Sequence, residues 1–173
     1  MKAALANPFL SAAIHVVESE TGVKVERAGD LSVRQSRKVG HEITVLIAVT
    51  GAAEGVVLYG MSEDTGKQIV GRILGEAVTE FDDMAESGIA ELGNVITGRA
   101  SHLLEEAGYQ STISPPTVIR GAGTEISTLD LPRLVVPLAT EVGAIQIAVA
   151  LRERSGVTNA GTVAAAPEVP GSS

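Results

Sequence analysis

Ser87, Glu91, Asn94, Gly98 and His102 are the residues of this 173-residue chain whose types and spacing could act together. They sit in a stretch that reads as the longest helix, where residues three and four apart share a face. Steps of four and three therefore place all five on one polar stripe. The stripe carries a carboxylate and, one turn on, an amide. Gly98 follows a further turn away and removes side-chain bulk, so another surface could come close. Asn and Gly are poor helix formers, Gly by about 1 kcal/mol against Ala. Taken on spacing alone, the pattern reads more simply as the solvated side of an amphipathic helix.

Other chemistries find less support. His15, His41 and His102 lie in separate elements, and none has a second ligand at metal-binding spacing. No dinucleotide fingerprint, Walker A motif or nucleophile elbow occurs, and "GAGTEIS" (121–127) leads into a strand, as a turn would. Net charge is −8 with no basic run, which argues against nucleic acid and anionic membranes. Aromatic residues make up only 2%, so a base-stacking site is not expected and the core must be aliphatic. There is no Cys, which excludes Cys-ligated zinc and disulfides. No apolar stretch reaches the roughly 20 residues that span a bilayer, and a cytoplasmic location is expected.

The elements that would position the stripe follow from periodicity. Asn7-Pro8 reads as a helix start, with Phe9, Leu10, Ala13, Ile14 and Val17 at helical spacing and Gly22 as a stop. Strands are expected at 23–28, 32–39, 42–50 and 55–60, the last two joined by "TGAAEG". Ser62 caps a helix running to Gly75. Thr79 reads as the cap of the long helix, which would extend about 40 Å to Ala107. Further strands are expected at 111–119, 124–129, 133–140 and 143–152. The likeness of "IAVTGAAEGVVLYG" to "LATEVGAIQIAVAL" suggests an internal duplication. One domain over 1–154 is expected, followed by a flexible Ala/Gly/Pro-rich tail over 155–173.

With these residues in view, the chain resembles the CheC/CheX/FliY family of chemotaxis phosphatases, and its CheX-type members most. Their signature is Asp or Ser, three residues, Glu, two residues, Asn, and here Ser87-G-I-A-Glu91-L-G-Asn94 fits. Pro115 or Pro116 stands near the place of the family's downstream Pro, and the opening "NPFLSAAIHVVESETGVKVERAG" is also similar. The resemblance covers about residues 6–152. It implies an α/β (α+β) fold of CheC-like type: an antiparallel-rich sheet, two long helices on one side, and an internal pseudo-two-fold repeat. It also implies hydrolysis of the aspartyl phosphate on a phosphorylated CheY-like receiver domain. Asn94 would orient the attacking water and Glu91 would contact the receiver's Lys, with Ser87 and Gly98 shaping the docking surface. Mg²⁺ would be supplied by the receiver, and the chain would need no cofactor or metal of its own. The first helix offers Glu18 and Glu20 without a following Asn at 21 or 23, so a single site is expected. The alternative is a non-catalytic adaptor for a receiver domain or a flagellar-switch component. A homodimer through sheet edges is also an expectation.

Overall fold

The computed structural model describes residues 2–126 and 131–156. Three helices, α1 (Ala3–Thr21), α2 (Glu63–Leu74) and α3 (Asp83–Glu106), accompany eight strands. These are β1 (Val25–Arg27), β2 (Ser32–Arg34), β3 (Ile43–Gly51), β4 (Ala53–Met61), β5 (Ser111–Ile113), β6 (Thr117–Arg120), β7 (Arg133–Thr140) and β8 (Gly143–Glu153). All pairs are antiparallel, in the order β1-β7-β8-β4-β3-β5, with β2 also on β7 and β6 also on β3. Exchanging β1, β3 and β4 for β5, β7 and β8 leaves this order unchanged. Such symmetry belongs to the connectivity, and the duplication suggested by the sequence remains an expectation.

Register explains the layers. Val45, Tyr59, Ile147 and Val136 form one row across β3, β4, β8 and β7, and side chains alternate between faces along each strand. This face packs against Phe9, Ala13 and Val17 of α1 and Ile89, Leu92 and Ile96 of α3, making one aliphatic core. Neighbouring positions in the strands point the other way, where Leu58, Val135 and Ala148 form a smaller cluster with Leu46 and Ile126. The expected mixed α/β architecture with long helices on one side of an antiparallel sheet is the one observed.

Several boundaries differ from expectation. α1 begins at Ala3, so Pro8 lies in its second turn instead of at its first position. Burial of Leu5 and Ala6 draws the extra turn onto the core, and Leu5 N donates to Lys2 O at 3.0 Å. α3 begins at Asp83 because Asp82, not Thr79, is the cap, its Oδ1 accepting from Ala85 N at 2.9 Å. Residues 111–119 do not form one strand, since Pro115 and Pro116 interrupt the ladder between β5 and β6. Only Lys38 and Glu125 pair within the stretches 35–39 and 124–126, and part of the expected strand 124–129 lies outside the described residues. The same holds for most of the expected tail. Only Ala52 separates β3 from β4, because the strand ends part company: Val49–Gly51 pairs with β5, and Ala53–Gly55 with β8. The Ser62 cap and the Gly75 stop of α2 are as expected, Ser62 Oγ accepting from Thr65 N at 3.1 Å.

One polar contact crosses the helix–sheet interface. The Tyr59 hydroxyl on β4 lies 2.8 Å from Thr97 Oγ1 on α3, which in turn donates to Gly93 O at 2.7 Å. Burial pushes the Tyr59 phenol above its ordinary 10.0, while the Thr97 hydrogen bond opposes this. Folding therefore favours the protonated phenol. Its contribution is complete below about pH 10 and is lost as pH rises through the unfolded and then the folded value. Tyr109, hydrogen-bonded to Glu153, is shifted the same way, so the two must be separated. Urea unfolding followed from pH 8 to 11 should show Tyr59→Phe losing less stability with rising pH than the wild type. Identical slopes in the two proteins would exclude Tyr59 as the source.

Candidate functional site

The site stripe is carried by α3, which three sets of contacts hold in place. At its start, Phe81 is buried and Arg120 of β6 stacks over its ring, 4.7 Å from the centroid. Arg120 also donates to Phe81 O and pairs with Glu63 at 2.7 Å and Glu86 at 3.6 Å. One guanidinium thus ties together β6, α2 and the first turn of α3. At the far end, Ser101 Oγ donates to Ser111 O at 3.2 Å.

In the middle, Gly93 lets the helix approach the sheet. A Cβ there would lie 2.9 Å from Val45 Cγ1 and 3.6 Å from Tyr59 Cδ2. Gly88 stands similarly close to α2, where a Cβ would meet Val70 Cγ2 at 3.2 Å. Gly98 differs, because nothing lies within 4 Å of its missing Cβ. The glycines in this stretch therefore serve two purposes, close packing at 88 and 93 and an open surface at 98.

Since Ile89, Leu92, Gly93 and Ile96 face the core, Glu91 and Asn94 must face outward. Glu91 is exposed and Asn94 is half-buried, one turn apart. Among the described residues neither side chain has a hydrogen-bond or ion-pair partner. Ser87 is exposed one turn before them and Gly98 is half-buried one turn after. Met84 and Val95 lie on the same side, 60% and 39% exposed, and add apolar surface here, although the apolar periodicity of the helix assigns them to its core-facing side. His102 is paired with Glu106 at 3.6 Å, so it is engaged within its own helix. Pro115 and Pro116 lie in the link between β5 and β6.

α1 provides a comparison. Its buried positions 5, 9, 12, 13, 16 and 17 have the same spacing as 85, 89, 92, 93, 96 and 97 of α3. Matched on this spacing, Ser11 stands where Glu91 does and Ile14 where Asn94 does. Neither a carboxylate nor an amide is offered, so α1 carries no second copy of the pair. Glu18, which the sequence put forward, accepts a hydrogen bond from Val25 N at 2.9 Å and closes the turn after α1. Among the described residues, no three His, Asp or Glu side chains are grouped to hold a metal ion, and no helix is long and apolar enough to cross a membrane.

The family model described as "Chemotaxis phosphatase CheX" matches residues 43–139, more than half of the chain and all of α3. The chain is 28% identical over 129 residues to the CheY-P phosphatase CheX of Thermotoga maritima, covering 74% of this chain and 83% of that one. A CheC-like superfamily protein from Shewanella sp. PV-4 superposes with a TM-score of 0.79 at 23% identity, over 88% of this chain and 99% of that one. A chain of the CheX–CheY–BeF3–Mg²⁺ complex from Borrelia burgdorferi superposes with a TM-score of 0.71 at 27% identity, over 86% and 97%.

Gly93, packed on the sheet, and Gly98, facing open space, give a test of the packing. Gly93→Ala should destabilise by about 1–3 kcal/mol through overpacking against Val45, despite better helix propensity. Gly98→Ala should be neutral or stabilise by up to about 1 kcal/mol. Chemical denaturation that ranked them in the opposite order would contradict this placement of α3. The α3 site, the antiparallel sheet beneath it and the match across residues 43–139 agree: this chain belongs to the chemotaxis phosphatase CheX family.

Proposed function

We propose that this chain is a phosphatase acting on the aspartyl phosphate of a CheY-like response-regulator receiver, with Glu91 and Asn94 as its catalytic pair. The observation that carries the reading is their placement. Both face outward on a helix held rigidly against the sheet, side by side and without partners within the described residues.

Hydrolysis needs a water oxygen aligned with the phosphorus and opposite the aspartyl oxygen. That oxygen bonds to phosphorus as the P–O bond to the carboxyl group breaks, leaving the aspartate carboxylate and dihydrogen phosphate. The water supplies both protons of the phosphate. Phosphoryl transfer depends mainly on positioning and charge stabilisation. An Asn side chain can accept from the water and donate to a phosphoryl oxygen, which fixes the water's orientation. Glu91 would anchor the helix through a charge-assisted bond to the receiver's Lys. Mg²⁺ is supplied by the receiver on this reading, since its own carboxylates surround the phosphoryl group. Met84 and Val95 supply apolar docking area around Ser87 and Gly98. A cytoplasmic location follows from the same reading, as the receiver is a cytoplasmic partner.

The adaptor alternative gains no specific observation, because binding alone has no use for an unpartnered amide at Asn94. The kinetic split separates the two. Asn94→Ala should slow acyl-phosphate loss about a hundredfold or more while receiver binding is kept. Glu91→Ala should weaken binding about tenfold and also lower the rate. Wild-type rates of phosphate release from the double variant would refute the assignment.

A further inference from the structure

The sheet face turned away from α1 and α3 holds a cavity of about 360 Å³, within the range of small-molecule sites. Register fixes its floor. Thr44, Gly60 and Gln146 are successive partners across β3, β4 and β8, and Leu58, Ala148 and Val135 form the next row. The chain between Arg34 and His41 supplies much of the remaining wall, with Arg133 at the start of β7. The His41 ring lies directly against Gly60, where a Cβ would be 2.2 Å from His41 Cδ2. Gly60 therefore admits the imidazole to the floor.

Two independent features point to a ligand, and the first of them gives its charge as negative. Arg34, Lys38 and Arg133 line the cavity, and among the described residues none of them forms an ion pair. Elsewhere most cations of this −8 chain pair with carboxylates, among them Arg120 with Glu63 and Arg152 with Glu54. Arg133 donates to the backbone oxygens of Ser36 and Lys38. Glu125 faces Lys38 across an isolated bridge but makes no ion pair with it. Burial, and then the neighbouring Arg34 cation, push the Arg133 guanidinium below its ordinary value, so cation faces cation here.

The second feature is the Thr44 hydroxyl. Thr44 is 2% exposed, and its Oγ1 is the one buried side-chain polar atom among the described residues with no hydrogen-bond partner. Buried hydroxyls are normally satisfied, and an orphan on a cavity floor marks a place for a ligand atom.

We propose that this cavity binds a small organic phosphate. Arg34, Lys38 and Arg133 hold the phosphate, the Thr44 hydroxyl bonds a polar atom of the ligand, and Leu58, Val135 and Ala148 seat its apolar body. A phosphomonoester carries about −1.5 to −2 charge, which suits three cations better than the single charge of a carboxylate. The guanidinium forks match phosphate geometry. The site lies across the sheet from Glu91 and Asn94 and does not depend on the phosphatase reading.

Titration calorimetry on the full chain tests this with adenosine 5′-monophosphate, inorganic phosphate and adenosine as separate arms. The nucleotide should bind one per chain, and inorganic phosphate should bind more weakly and compete with it. Adenosine should give no measurable heat. Arg34→Gln, at an exposed position, should weaken nucleotide binding about tenfold or more. Thr44→Val, which keeps the side-chain shape, should weaken it several-fold while receiver dephosphorylation is unchanged. Absence of binding by both phosphates at millimolar concentration would overturn the proposal. So would nucleotide affinity unaffected by either substitution, or adenosine binding as tightly as the nucleotide.

Discussion

The approach of α3 to the sheet at Gly93 is the constraint on which the site depends. With no side chain at 93, the helix settles onto Val45 and Tyr59, and Thr97 locks it there through the Tyr59 hydroxyl and Gly93 O. A buried hydroxyl pair of this kind contributes about 1 kcal/mol net, but its geometry fixes the rotation of the helix about its axis. That rotation decides which residues face water. Turned by one residue, the helix would put Asn94 into the core and leave a buried amide unpaired. The packing and the outward presentation of Glu91 and Asn94 are thus two sides of one arrangement.

The rest of the fold supports this contact. β3 and β4 are interior strands, Val45 flanked by Tyr59 and by Val118 of β6 and Tyr59 by Ile147 of β8, so neither can yield easily. The Arg120 cluster fixes the first turn of α3, and the Ser101–Ser111 bond ties its C-terminal part to β5. The ion pairs of Arg120 are half-exposed and each is worth little alone. Their value lies in joining three elements at the end of the helix nearest Ser87. A rigid helix suits a reaction in which positioning supplies much of the rate.

Much of this was legible in the sequence because it rests on periodicity. The 3.6-residue apolar pattern located α3 and its polar stripe, and alternation located the four long strands. The residues Ser62 and Gly75 bounded α2 correctly since capping is a local effect. What the sequence concealed was tertiary. Asn7-Pro8 looked like a helix start, but Leu5 and Ala6 find a core that only the folded sheet provides. Asp82 outcompetes Thr79 because Phe81 must be buried just before the helix begins. Gly93 and Gly98 look alike in the sequence, and only packing distinguishes the one that touches Val45 from the one that faces open space. The orphan hydroxyl of Thr44 was equally invisible, since it depends on what does not reach it across the far face of the sheet.

On the proposed function, a receiver docks its phosphorylated site on the Glu91–Asn94 face of α3. Side-chain and backbone NMR signals of this protein, followed while a beryllofluoride-loaded CheY-like receiver is titrated in, test it most directly. The Asn94 side-chain amide and the backbone amides of Ser87, Glu91, Val95 and Gly98 should shift together and saturate, while Ser11 and Ile14 on α1 stay put. Saturable shifts confined to α1 or to the far face of the sheet, with the Asn94 amide unmoved, would rule out docking at the Glu91–Asn94 face.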